Sequence, residues 1–182
     1  MWHFKKRLTM RLLIIYIISL LLISNVFGQT DTKLDYLVVA VDTINDEYGY
    51  RNLDGKMIIP YGKYGICYTD KFQNYAIVSK KGRGIIAIDR NENELYKVFI
   101  IDNGPDYTSE GLFRIIIDNK IGYADSISGK ISIEPKFKCA WPFQNGIAKV
   151  SDNCEEKPSG EYKIWESNNW YFIDRFGIKI KK

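Results

Sequence analysis

The sequence predicts an all-β domain of stacked β-hairpin repeats, set as an open twisted array or a partly closed barrel, behind an N-terminal signal peptide. Three observations carry this. A motif recurs: Gly122-Tyr123-Ala124-Asp125, a turn at Ser128-Gly129-Lys130 and Ile131-Ser132-Ile133-Glu134-Pro135 repeat the order of Gly49-Tyr50-Arg51-Asn52, Asp54-Gly55-Lys56 and Met57-Ile58-Ile59-Pro60. Recurrence at a fixed spacing is the signature of a repeat architecture. The apolar runs are short and bounded by Gly, Asn, Asp and Lys, as in strands and hairpins. No stretch beyond the leader sustains helical periodicity.

The N-terminal segment comes first. Lys5, Lys6, Arg7 and Arg11 precede an apolar run from Leu12 to Ile23, and Val26 and Gly28 stand at the −3 and −1 positions of a cleavage site. Residues 1–28 therefore read as a secretory signal peptide. The run is shorter than the about 20 residues a membrane span needs, so membrane contact is expected only through an uncleaved leader. Residues 29–182 form one domain, with units at roughly 48–79, 81–117, 119–150 and 168–180. Strands are expected at Tyr36–Asp42, Tyr48–Leu53, Met57–Pro60, Tyr75–Ser79, Gly84–Asp89 and Leu95–Ile101. Further strands are expected at Leu112–Ile117, Ile121–Asp125, Ile131–Phe137, Ile147–Val150, Trp170–Asp174 and Ile178–Ile180. Asp54-Gly55 signals a two-residue type I′ turn. Asn103-Gly104-Pro105 reads as a loop. Residues 151–168 interrupt the pattern where other units have a tight turn, and long loops in compact domains are commonly functional or disordered. The expectation is a polar inserted loop with Tyr162 and Trp165 tucked against the sheet.

Charge narrows the partners. The chain has 26 basic and 22 acidic residues. Four of the basic residues lie in the leader, so the exported part carries a formal net charge of zero. Nucleic-acid binding needs a basic patch, and nothing here supports one. Export makes a disulfide feasible, but three cysteines cannot all pair within one chain. Cys67 and Cys139 sit about as far along their units and read as small apolar core residues. Cys154, in the polar loop, reads as the reactive or partner-bonded thiol.

The third unit resembles the WG-repeat family, in Gly122-Tyr123, Asp125, Gly129-Lys130, Ile133, Pro135, Phe137, Ala140, Phe143, Gly146, Ala148 and Val150. The first unit matches at Gly49-Tyr50, Gly55-Lys56, Ile59-Pro60, Tyr64, Phe72 and Val78. The second matches at Gly84, Ile88-Asp89, Glu110-Gly111 and Leu112. The fourth keeps Trp170, Phe172-Ile173-Asp174 and Gly177-Ile178-Lys179. The Trp-Gly pair is nowhere intact: Tyr48-Gly49, Arg83-Gly84, Ile121-Gly122 and Trp170-Tyr171 stand in its place. The resemblance implies a non-catalytic repeat scaffold for binding and transfers no catalytic residue.

The chemistry the residues support is limited. The only histidine, His3, lies in the leader, so the exported chain cannot build a Ser-His-Asp or Cys-His site. No cofactor or metal site is expected, since imidazole ligands and CxxC spacings are missing. Asp89–Glu94 reads as a hairpin turn rather than a calcium loop, lacking the Gly and late Glu of that motif. Asp89 and Asp174 recur just before a turn and read as hydrogen-bond acceptors within it. Asp102, Asp106, Glu110 and Glu134 leave open a carboxylate pair of the glycoside-hydrolase kind. The binding candidates are Trp141, Trp165, Trp170 and Tyr171, because flat aromatic faces stack on sugars and anchor protein partners. Apolar neighbours place Trp141 in the core, whereas Trp165 stands between core and surface. The leading expectation is an exported, periplasmic or extracellular, non-enzymatic binding module with a protein or glycan partner. The alternatives are a carboxylate-dependent glycan hydrolase and a structural envelope protein.

Overall fold

A computed structural model describes residues 35–160 and 162–180. The signal-peptide reading of residues 1–28 lies outside the described residues. Within them the chain is all-β, without a helix, and no sheet closes into a barrel. The open array is therefore the arrangement adopted.

The first strands are β1 (Leu37–Asp42), β2 (Glu47–Arg51), β3 (Met57–Tyr64), β4 (Lys71–Phe72) and β5 (Tyr75–Lys80). The middle of the chain forms β6 (Gly84–Asp89), β7 (Glu94–Val98), β8 (Ile100–Ile101), β9 (Gly104–Pro105) and β10 (Leu112–Ile117). Next come β11 (Lys120–Asp125), β12 (Ile131–Phe137), β13 (Cys139–Ala140) and β14 (Ile147–Ser151). The last are β15 (Glu155–Ser159), β16 (Tyr162–Glu166) and β17 (Tyr171–Asp174). A central antiparallel sheet runs β12-β11-β10-β7-β6-β5, flanked by β3-β2-β1-β4 and β13-β14-β17.

Three apolar clusters lie along this array. One gathers Tyr50, Ile59, Phe72 and Val78, a second Ile85, Tyr96, Val98 and Phe113, and a third Tyr123, Ile133, Phe137, Phe143 and Val150. A core distributed in this way suits repeats that bury their faces only by stacking. Each fully buried side chain of this size stabilises by about 1.5–3 kcal/mol.

The recurring residues serve the fold. Gly49 and Gly122 sit at register shifts in the β2–β3 and β11–β12 pairings. A Cβ added there would lie 2.6 Å from the Ile59 carbonyl oxygen and 2.5 Å from that of Ile133. Each glycine thus lets the Pro-bearing strand approach its backbone. The tyrosine after it turns inward. Tyr50 donates to the Thr69 carbonyl (2.8 Å) and meets Phe72 edge-on; Tyr123 donates to the Trp141 carbonyl (2.7 Å) and meets Phe143 edge-on. Asp89 Oδ1 accepts from the backbone N–H of Asn91 and Asn93, and Asp174 Oδ1 from those of Phe176 and Ile178. The turn reading of these two aspartates holds. The hydrogen bond from Asn93 holds the Asp89 carboxyl below its ordinary pKa, and that from Ser128 does the same for Asp125.

Several expectations are corrected. At Asp54-Gly55 only the glycine has positive φ (86°), and Asn52 N–H bonds the Lys56 carbonyl, so the connection is a three-residue turn ending in Gly55. The type I′ geometry appears instead at Asp118-Asn119, where both residues have positive φ. Asn103-Gly104-Pro105 is not wholly loop, since Gly104–Pro105 pairs with Ile100–Ile101. The inserted loop at 151–168 is a hairpin: β15 pairs with β16 from Glu155↔Glu166 to Ser159↔Tyr162.

Candidate functional site

The inserted hairpin is fastened at its base. Cys154 is buried and forms a disulfide with Cys139 on β13, with Cα atoms 6.1 Å apart. Beside it the hydroxyls of Ser151 and Ser167 lie 2.8 Å apart, and Ser167 donates to the Asn153 carbonyl (2.7 Å). The readings of Cys139 as an unpaired core residue and of Cys154 as a reactive thiol are therefore wrong.

Register explains the error. Gly65 N–H bonds the Ser79 carbonyl as Lys138 N–H bonds that of Ser151, and Tyr68 N–H bonds Ile77 as Trp141 N–H bonds Lys149. Aligned this way, Cys139 corresponds to Ile66 and Ala140 to Cys67. A one-residue offset in a strand moves a side chain to the opposite face. Cys67 points into the first cluster and is free, its thiol pushed up to about 11 by burial. Cys139 points to the face the hairpin covers.

On the hairpin, Trp165 stands opposite Glu156. Its indole meets Phe99 at 5.8 Å and Trp141 at 5.5 Å between ring centroids, both edge-on. Aromatic pairs favour that arrangement. Trp165 is half-buried against the third cluster. Trp141 is not in the core: it is 47% exposed. Its backbone is tied down on both sides, by the Tyr123 hydroxyl and by the Lys149 carbonyl, while the indole projects from the short connection after β13.

Beneath the aromatics lies a buried ion pair that the sequence did not single out. Arg114 donates from Nη2 (2.6 Å) and Nε (3.0 Å) to Asp106, and its backbone N–H also reaches that carboxylate (2.8 Å). Nη1 donates to the Ala140 carbonyl, and the guanidinium lies 4.0 Å from the Phe99 ring centroid. Asp106 is thus committed to a two-pronged pair, and Glu110 accepts from the Gly146 N–H. Neither carboxylate is arranged as a free acid or base.

Two hollows flank Trp141. One, about 460 Å³, is mostly apolar, with Phe99, Ile101, Pro142, Ile164 and Trp165 in its wall. The other, about 650 Å³, mixes Trp141, Phe143 and Phe172 with Ser109, Gln144, Asn145 and Lys149. Of the four candidates, the structure brings Trp141 and Trp165 together. Trp170 and Tyr171 line neither hollow. Lys149 Nζ lies over the Trp170 ring at 4.8 Å. Tyr171 packs on Phe137 and donates to Asp152; burial, then that bond, push its phenol up to about 12.

The comparisons concern this same region. The family model described as WG containing repeat matches residues 121–153, the third unit and the start of the insertion, in agreement with the resemblance carried by its sequence. No curated protein and no solved structure matches the chain.

Proposed function

We propose that this β-repeat domain is an exported, non-catalytic binding module that takes its ligand along the ridge of Trp141 and Trp165. The observation that carries the reading is the exposure of Trp141. Large aromatics dominate cores, and residues around this one are buried: Ala140 and Phe143 are 0% and 2% exposed. An indole left open on a strapped-down backbone, beside a second indole and two hollows, has the make-up of a binding anchor.

The test is cross-linking in the native envelope, comparing wild type with Trp141→Ala and with Ile44→Ala, an exposed side chain in the β1–β2 turn. A specific adduct lost in Trp141→Ala and kept in Ile44→Ala supports the reading. Adducts identical in all three remove it.

A further inference from the structure

The larger hollow beside Trp141 differs from the apolar one in a way that points to a class of ligand. We infer that it is a carbohydrate site, which holds a neutral oligosaccharide strand stacked on Trp141. The inference rests on the binding-module reading above and names its ligand.

Three features carry it. The first is the pairing of an indole with side-chain amides. Gln144 and Asn145 are exposed, and among the described residues neither side-chain amide is engaged by the protein. Each offers two donors and an acceptor, which suits adjacent sugar hydroxyls, while an indole suits the apolar C–H face of a pyranose ring.

The second is preorganisation. Asn145 and Gly146 both have positive φ (54° and 77°), and Gln144 and Ile147 exchange backbone hydrogen bonds of 2.8 and 3.3 Å. This is a type I′ turn. The Glu110 carboxylate holds it from outside by accepting from the Gly146 N–H at 3.0 Å, and Arg175 donates to the Glu110 carbonyl at 2.7 Å. The backbone that carries the amides is thus set before a ligand arrives, and affinity is not spent on ordering the turn.

The third is what the hollow withholds. A peptide added as a strand needs unpaired main-chain groups. Here the N–H groups of Trp141, Gln144 and Ile147 are already bonded within the sheet. The wall contains no carboxylate, and its one cation, Lys149, is drawn over Trp170. A cationic ligand therefore finds no counter-charge in the wall. A glycan is held rather than cleaved, because cleavage needs two carboxylates flanking the bond.

The experiment uses the exported chain on an array of neutral oligosaccharides. Tryptophan fluorescence is then titrated with cellotetraose, chitotetraose and any array hit. Trp141→Ala, Gln144→Ala and Ile44→Ala are compared, with far-UV circular dichroism confirming that each folds. The expected result is saturable binding, weakened about tenfold or more by Trp141→Ala, several-fold by Gln144→Ala, and not by Ile44→Ala. No array hit, or binding indifferent to both Trp141→Ala and Gln144→Ala, overturns the inference. A Trp141-dependent protein adduct without glycan binding also overturns it, yet leaves the binding-module reading standing. Loss of both removes both.

Discussion

The first and third units share a frame and differ in what is attached to it. Both place a glycine against the Pro-bearing strand, turn the next tyrosine inward onto a phenylalanine, and bond its hydroxyl to the backbone after the third segment. They part at the residue after the bridge from Cys67 to Val78 in the first unit and after β13 in the third. In the first unit this is Tyr68, half-buried against the neighbouring cluster. In the third it is Trp141, open to solvent. The first unit leads into the second through the tight turn at Lys80–Gly84. The third leads into the disulfide-tied hairpin, and the strand that resumes the pattern, β17, lies beyond it. Repeat identity governs the frame, and departures from repetition locate the candidate site.

The largest expected effect comes from the second unit, at the ion pair beneath the third unit's exposed indole. Asp106→Ala leaves Arg114 buried without its partner, and breaking such a pair costs about 3–5 kcal/mol. Because Arg114 also holds the Ala140 carbonyl and faces Phe99, the Trp141–Trp165 contact should loosen as well. Urea unfolding gives the loss, and near-ultraviolet circular dichroism reports the indoles. A loss under about 1 kcal/mol would mean that the pair is not the floor of the site.

The disulfide comes next. Cys154→Ser frees a hairpin that, among the described residues, has no main-chain pairing to another sheet. For a 15-residue separation the entropic contribution is about 3 kcal/mol at most. The indole signals of the variant, and of wild type treated with a dithiol reductant, should shift together. Cys67→Ala should leave those signals unchanged, since its thiol belongs to the first cluster. A response at Cys67 equal to that at Cys154 would erase the distinction between the two units.

The frame was legible in the sequence because its residues have local reasons. Gly122 and Pro135 mark a close approach, Asp89 and Asp174 mark turns, and alternating runs mark strands. The site was legible only in part. Glu155-Glu156-Lys157-Pro158-Ser159 has no strand alternation, and becomes β15 only by pairing with β16 and being anchored through Cys154. The Cys139–Cys154 bond depends on a one-residue register offset between units. The exposure of Trp141 depends on which elements lie beside it in space, and its apolar neighbours in sequence do not encode that. The Asp106–Arg114 pair joins two residues flanking a turn, and its burial arises from the aromatics stacked above it.

The shared frame can itself be tested. Gly49→Ala and Gly122→Ala both force a Cβ against backbone atoms that cannot move independently. Overpacking of this kind costs about 1–3 kcal/mol, and both variants should lose stability in that range if the close approach serves both units. Chemical denaturation of the two variants checks it. A variant that lost nothing would show that at its unit the recurrence is one of sequence and not of packing.

The smallest effect on stability belongs to the residue with the largest expected effect on binding. Trp141→Ala removes a side chain that already faces solvent over about half its surface and leaves its backbone bonds to Tyr123 and Lys149 in place. The loss is then chiefly that of the edge-on contact with Trp165, about 0.5–1.5 kcal/mol. Tyr68→Ala, at the aligned position in the first unit, takes away a ring packed on the middle cluster. It should cost more, about 2 kcal/mol. The ordering matters more than either value. If Trp141→Ala proved the more destabilising, the indole would be serving the fold, and its exposure would no longer mark a binding anchor. If it is the milder of the two while the ligand is lost, then at this position the repeat has given up packing for recognition.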